Sequence, residues 1–352
     1  MSQKDTRHGK EQNADGQRRF GRTELPPEQQ EAVKKAIRLE WITIGVLVVT
    51  VAAVAVVMGN SQAMKAAWIE DLLSFIPPIA FLIAVRIINH PPSRKRPYGT
   101  HRAVGVGHLV ASVALLVMGG YLVVDSAIGL ITAEHPPIGS FHLFGQTIWQ
   151  GWFMIVIMLL SVPGPVILGR MKIKLAKELH NKVLYADADM NKADWQTGVA
   201  TAVGVAGVGL GLWWFDAAAA LFVGASILYD GIRNVTTAIT DLTDTRARTI
   251  EGNEEHPVIY QSEDHANSKD WVRRAGARVR DQGHVFHMEM FVVPEPDSAP
   301  EMERLQDLRD SLADLDWRLE DIVVVPVLEL PAEVHGGTAH LQSEGGQEFQ
   351  ET

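Results

Sequence analysis

The chain has 352 residues, 47% of them apolar, no cysteine and a formal net charge of −10. Without cysteine there is no disulfide framework and no thiolate metal site. From Arg246 onward 23 acids face 10 bases, whereas residues 1–245 hold 19 acids and 22 bases, and so acidic a tail argues against a nucleic-acid partner.

Residues 1–38 are polar and lack both an apolar h-region and a small-residue cleavage site. A disordered cytoplasmic tail without a signal peptide is expected there. Six apolar stretches follow, near the ~19-residue length that crosses a bilayer. They are Trp41–Met58, Trp68–Ile88, Ala103–Ile128, Thr147–Leu168, Gly198–Trp214 and Ala217–Ile239, the last two joined by a short turn at Phe215-Asp216. Basic residues gather on one side of this pattern. They are Arg18, Arg19, Arg22, Lys34, Lys35 and Arg38 before the first span; Arg94, Lys95, Arg96 and Arg102 after the second; and Arg170, Lys172, Lys174, Lys177 and Lys182 after the fourth. The opposite side has only Lys65, and Thr132–Gln146 has no Lys or Arg. The positive-inside rule then puts both termini in the cytoplasm, as an even number of spans requires. The expectation is a multi-pass plasma (inner) membrane protein with its membrane domain over 39–240.

Beyond the sixth span a charged connector, Asp241 to Asn267, leads into a small cytoplasmic domain that ends at 331. Val272–Arg280 and His284–Val293 read as a hairpin around Asp281-Gln282-Gly283, with Gly283 supplying positive φ. Ser298-Ala299-Pro300-Glu301 opens a helix with Ser298 as N-cap and Pro300 in the first turn. Met302, Leu305, Leu308 and Leu312 give that helix an apolar face. Ile322–Leu330 is a third strand, so the order is β-β-α-β. Residues 332–352 are rich in Gly, Gln, His and Glu and are expected to be disordered.

Two apolar segments carry acids where lipid-facing residues are expected. In the second span Glu70 and Ser74 are i,i+4 and Asp71 and Ser74 are i,i+3, so they share a helical face. In the fifth, Asp187, Met190, Asn191 and Asp194 fall at 0, +3, +4 and +7, while Asp189 points elsewhere. A carboxylate at bilayer depth costs several kcal/mol unless it meets protein, water or a cation. Two such stripes facing each other offer hard oxygen ligands to a divalent cation of the Mn²⁺, Mg²⁺ or Fe²⁺ kind. The bland alternative is a solvated helix end, because hydropathy alone would start the fifth span near Asp194.

The whole pattern over residues 38–331 resembles the cation diffusion facilitator family. Arg94-Lys95-Arg96-Pro97-Tyr98-Gly99-Thr100-His101-Arg102 is similar to its loop after the second span. Leu184-Tyr185-Ala186-Asp187-Ala188 is similar to the approach to its fifth-span site. Asp216, Leu242-Thr243-Asp244, Val279-Arg280-Asp281-Gln282-Gly283 and Val325-Pro326-Val327-Leu328-Glu329-Leu330-Pro331 fit in the same order. The resemblance implies an all-α six-helix transmembrane domain with a small cytoplasmic α+β domain of metallochaperone-like β-β-α-β order. It implies a homodimer that exports a divalent metal in exchange for protons by alternating access. It also implies a metal site on Glu70, Ser74, Met190 and Asp194, with Asp71, Asp187 and Asn191 as supporting candidates. Ser74 is a neutral hydroxyl and Met190 a thioether where such families carry carboxylates or histidine. Thr100 and Arg96 stand where the family's further histidines would fall. The metal is cargo of the Mn, Fe, Zn or Co class, not a cofactor. His265, His284 and His287 are candidates for metal sensing in the tail domain. The rival reading is a family-like membrane metal sensor or assembly protein without transport, motivated by Ser74 and Met190. No nucleophile–base pair or His-Glu-X-X-His motif is present, so an enzyme is not expected.

Overall fold

The structure, a computed structural model, describes residues 25–57, 68, 71–88, 93–133, 139–143, 146–252, 254–283, 285–296 and 300–334. The chain divides into two compact units, Glu28–Leu242 and the remainder, built mainly from Thr243 onward.

In the first unit the helices are α1 (Pro27–Val57), α2 (Ile76–Ile88), α3 (Ala103–Ile131), α4 (Gly151–Ser161), α5 (Pro163–Leu179), α6 (Lys182–Gly209) and α7 (Phe215–Leu242). Among the described residues, five segments are long and apolar enough to cross a membrane: 27–56, 71–88, 103–131, 151–179 and 215–242. Their polarity is inverted relative to a water-soluble protein. Val106, Val110, Val113, Val117, Val124 and Ile128 of α3 are exposed, while Glu40, Lys172 and Asp187 are buried. That distribution suits lipid outside and paired charge inside. The sixth long helix, α6, has 28 residues, enough for about 42 Å at 1.5 Å per residue. Its first half carries Lys182, Asp187, Asp189, Asn191, Lys192 and Asp194, so its apolar run is shorter than the helix.

Proline sets two interruptions. The fourth predicted span is two helices, α4 and α5, meeting at Val162-Pro163, and it runs on to Leu179. The predicted loop bases Arg170, Lys172, Lys174 and Lys177 therefore lie on a helix. The second predicted span is irregular at Ser74-Phe75, just before Ile76-Pro77-Pro78. Pro77 and Pro78 offer no N–H to the carbonyls of Leu73 and Ser74, so an α-helical ladder cannot continue there. The stretch between α3 and α4 holds a small antiparallel pair, β1 (Ser140–Leu143) in the expected loop and β2 (Gln146–Trp149) over the expected start of the fourth span, whose helix begins only at Gly151.

Helices α3 and α7 touch backbone to backbone. A Cβ on Gly119 would lie 2.4 Å from Leu228 N, and one on Gly231 would lie 2.6 Å from Leu116 Cα. A Cβ on Gly224 would lie 2.9 Å from Leu122 Cβ. Small residues at such crossings let membrane helices gain van der Waals contact where lipid supplies no hydrophobic drive. Helices α6 and α7 are joined differently, by three polar rungs: Lys182 to Asp241 (2.6 Å), Asn234 to Asp189 (2.9 Å) and Lys192 to Asp230 (2.7 Å). The numbers rise along α6 as they fall along α7, as antiparallel neighbours require.

The second unit contains α8 (Val258–Asn267), β3 (Val272–Asp281), β4 (Phe286–Pro294), α9 (Met302–Ala313) and β5 (Leu319–Pro326). The sheet order is β3-β4-β5, antiparallel then parallel. The Asp281–Gly283 turn forms as expected, with Gly283 at φ 117° and its N–H donating to Asp281 Oδ1 at 2.7 Å. Three boundaries differ from expectation. The last strand starts three residues earlier and stops at Pro326, after which Val327 N–H still donates to Val292 O at 2.9 Å. Helix α9 is capped at Glu301, with Pro300 before the cap; Ser298 and His284 lie outside the described residues. The supposed connector contains α8, whose function is local. It covers the edge strand β3, whose outward N–H groups at Ala275 and Ala277 donate to Asn267 Oδ1 (2.8 Å) and Glu263 Oε1 (2.9 Å).

Capping that edge buries Glu263, and burial pushes its pKa up to about 7 despite the Ala277 N–H bond. The folded state therefore favours the protonated form. Its contribution to stability is full below the usual glutamate range and is lost as pH rises through about 7. Hydrogen exchange of the β3 amides in the full chain should report a loss of up to about 3 kcal/mol of protection across that window. Glu263→Gln should flatten it; a pH-independent wild type would contradict the assignment.

Candidate cation site

Helix α6 follows α5 through a tight reversal. His180 adopts a left-handed conformation (φ 47°, ψ 42°) and Asn181 Oδ1 caps Leu184 N at 3.1 Å. The cap starts the helix well before the apolar run, so residues 187–194 are helical, with Asp187, Met190 and Asn191 buried. Its polar side chains then go to different neighbours.

The structure brings Ser74 and Asp194 together: Ser74 Oγ donates to Asp194 Oδ1 at 2.6 Å. Ser74 is buried and Asp194 is partly exposed. Asp71 lies within electrostatic reach of Asp194 on the same side. A neutral hydroxyl and a carboxylate give hard oxygen donors. The irregular backbone beside Ser74 is the kind that membrane proteins tolerate where it is buried in protein or lines a cavity. Glu70 lies outside the described residues.

The other candidates go elsewhere. Met190 is buried in an apolar cluster with Ala114, Leu115, Met118, Leu122, Ala193 and Ile227, against which Leu73 and Ile76 pack. Asp187 Oδ2 accepts from Lys172 Nζ at 2.6 Å, and the same ammonium is 3.0 Å from Glu40 Oε2. Asn191 Nδ2 donates to the Asp187 backbone carbonyl at 2.8 Å. So Asp187 and Asn191 share the predicted stripe with Asp194 but belong to a separate ion-paired set. Asp189 does point away, to Asn234 on α7. Among the described residues no three His, Asp or Glu side chains converge as a metal cluster. In the tail unit His265 Nε2 pairs with Ser311 Oγ at 2.9 Å, and His287 Nδ1 lies 4.0 Å from Asp321. Thr100 donates to the Ile87 carbonyl at 2.8 Å, and Arg96 closes a turn with Ser93; these contacts shape the loop.

The residues missed from sequence are Glu40 and Lys172. Glu40 lies just before the first apolar stretch and Lys172 among apparent loop bases. The usable signal was that α5 continues without a breaker to Leu179, which turns Lys172 onto a helix face.

The family model described as the cation efflux transmembrane domain matches residues 41–243, more than half of the chain. The chain belongs to the cation efflux, or cation diffusion facilitator, family. With five segments of spanning length, it is a multi-pass membrane protein. It is similar to the manganese efflux system protein MneS of Bacillus subtilis (strain 168), 26% identical over 203 residues, covering 57% of this chain and 66% of that protein. It is also similar to that organism's manganese efflux system protein MneP, 25% identical over 148 residues, covering 42% and 46%. A third similar protein is its uncharacterized transporter YdbO, 26% identical over 223 residues, covering 61% and 71%. The chain thus spans just under two thirds of MneS and less than half of MneP.

Proposed function

We propose that this protein exports a divalent metal cation, with Mn²⁺ the first candidate, in exchange for protons. The observation that carries the reading is the 2.6 Å contact between Ser74 and Asp194. It joins side chains 120 positions apart, inside a membrane unit, on the two segments where the family resemblance puts its ligands. Glu70 completes the set from the first segment, with Asp71 as a further carboxylate. Met190, in its apolar surroundings, shapes the pocket more than it binds. Oxygen donors favour Mn²⁺ over softer metals, and two relatives are manganese efflux system proteins.

In this reading α6 is the sixth span of a membrane domain over 39–240, and an even count leaves both termini cytoplasmic. The protein works as a homodimer in the plasma (inner) membrane, with the 241–331 domain in the cytoplasm. Asp194 binds the metal as a carboxylate and takes up a proton on release, so metal affinity falls with acidity. Rocking of helices about the site exposes it to each side in turn.

Reconstitution in liposomes containing a Mn²⁺-quenched dye tests this. An imposed pH gradient should drive Mn²⁺ uptake, and collapsing the gradient should slow it. The second reading, a metal sensor or assembly partner, draws on the absence of a three-ligand cluster among the described residues. Mn²⁺ binding without flux under either condition would favour it.

A further inference from the structure

We propose that Glu40 and Asp187 form a second cation site, a transit position for the divalent cargo, which the Lys172 ammonium fills in this conformation. The proposal rests on reading Ser74 and Asp194 as the cargo site.

Charge is the first reason. Glu40, Lys172 and Asp187 are all fully buried. Two carboxylates surround one ammonium, so with all three charged the set keeps one negative charge uncompensated. Buried charge is tolerated only when paired, and the surplus is costly. A divalent cation in place of the ammonium would neutralise the two carboxylates.

Glu40 gives the second reason. Both its carboxylate oxygens are buried, and Oε2 lies 3.0 Å from Lys172 Nζ, the ammonium that also donates to Asp187. A buried carboxylate that shares a single ammonium with a second carboxylate is a ready cation ligand. The Asp187 carboxylate is in contrast engaged at both oxygens, Oδ2 accepting from Lys172 Nζ at 2.6 Å and Oδ1 from Asn191 Nδ2 at 3.5 Å, and a Cβ on Gly169 would come within 3.2 Å of Asn191 Cβ. The α5–α6 crossing thus has little slack, whereas Lys172 has a flexible four-carbon stem that can withdraw.

Position is the third reason. Asp187 and Asp194 are two turns apart on one face of α6, about 10 Å along the axis. Asp187 lies toward the α5–α6 turn. A cation moving along this face meets Glu40 and Asp187 at one step and Ser74 and Asp194 at the next. Lys172 is then a tethered cation that holds the first position until cargo displaces it.

Equilibrium Mn²⁺ binding to the purified full chain tests the proposal, with free Mn²⁺ counted by its electron paramagnetic resonance signal. Lys172→Met should bind one more Mn²⁺ per chain than the wild type, and Lys172→Met/Glu40→Gln should lose that extra ion. A folded Lys172→Met with wild-type stoichiometry overturns the proposal and leaves a proton to cover the surplus charge. Where Lys172→Met yields no folded protein, Glu40→Gln decides, because it keeps the Lys172–Asp187 pair. Its Mn²⁺ turnover at saturation should fall at least about tenfold, a barrier change of about 1.4 kcal/mol, with equilibrium affinity within about twofold. Unchanged turnover overturns the proposal. Failure of the cargo-site reading is separable: wild-type protein would then bind no Mn²⁺, while the extra ion in Lys172→Met could still be counted.

Discussion

Asp194→Asn abolishes Mn²⁺ flux in liposomes, lowering it by about a hundredfold or more, while the protein still folds. The size follows from charge. Ser74 is neutral and donates its hydroxyl hydrogen to Asp194. Removing the Asp194 charge leaves the described part of the pair with dipoles only. A hundredfold corresponds to about 2.7 kcal/mol, well within what a carboxylate contributes to a divalent ion at membrane depth. Stability should move little, because Asn keeps the shape and still accepts from Ser74. Unlike Asp187, Asp194 has no cationic hydrogen-bond partner among the described residues. Ser74→Ala should cost less, about tenfold, as the loss of one neutral donor oxygen. Undiminished flux in Asp194→Asn would sink the cargo-site assignment, and loss of flux with an unfolded protein is excluded by a melting curve.

The second large effect is structural and has an internal control one residue away. Gly119→Ala and Gly231→Ala should each destabilise the membrane unit by about 3 kcal/mol, while Gly120→Ala should be neutral or slightly stabilising. In a free helix Gly→Ala gains about 1 kcal/mol, so the sign depends on what the new methyl meets. At Gly119 and Gly231 it meets partner backbone at 2.4 and 2.6 Å, which cannot rotate away. Overpacking of this kind costs about 1–3 kcal/mol and more where backbone must move. At Gly120 nothing lies within 4 Å. Melting in detergent, read by tryptophan fluorescence, should separate the three variants. Equal behaviour of Gly119→Ala and Gly120→Ala would show that α3 and α7 do not pack this closely.

Much of this was legible from spacing, and what escaped has physical causes. The i,i+3/i+4/i+7 arithmetic put Asp187, Met190, Asn191 and Asp194 on one face, and they are on one face. A stripe seven residues long, though, passes more than one neighbour, so Asp194 reaches Ser74 while Asp187 reaches Lys172. Spacing within a helix carries no information on which partner faces each turn. Lys172 read as a loop base because window averages cannot distinguish a lysine in water from one whose stem crosses packing to reach acids. The helical ladder of the second span breaks off at Ser74-Phe75 because Pro77 and Pro78 lack donors for the carbonyls four residues upstream. In the tail, α8 escaped because its buried positions include Ser262 and Glu263, polar residues that cover a strand edge. Hydrophobic periodicity registers apolar faces, not capping ones.

The rungs between α6 and α7 constrain how this chain can vary among its descendants. Lys182, Asp189 and Lys192 are matched by Asp241, Asn234 and Asp230. A change at one member removes the bond between the two helices, whereas an exchange of the two can restore it. Six positions thus act as three units, and a substitution at one is best accommodated by a matching substitution at its partner.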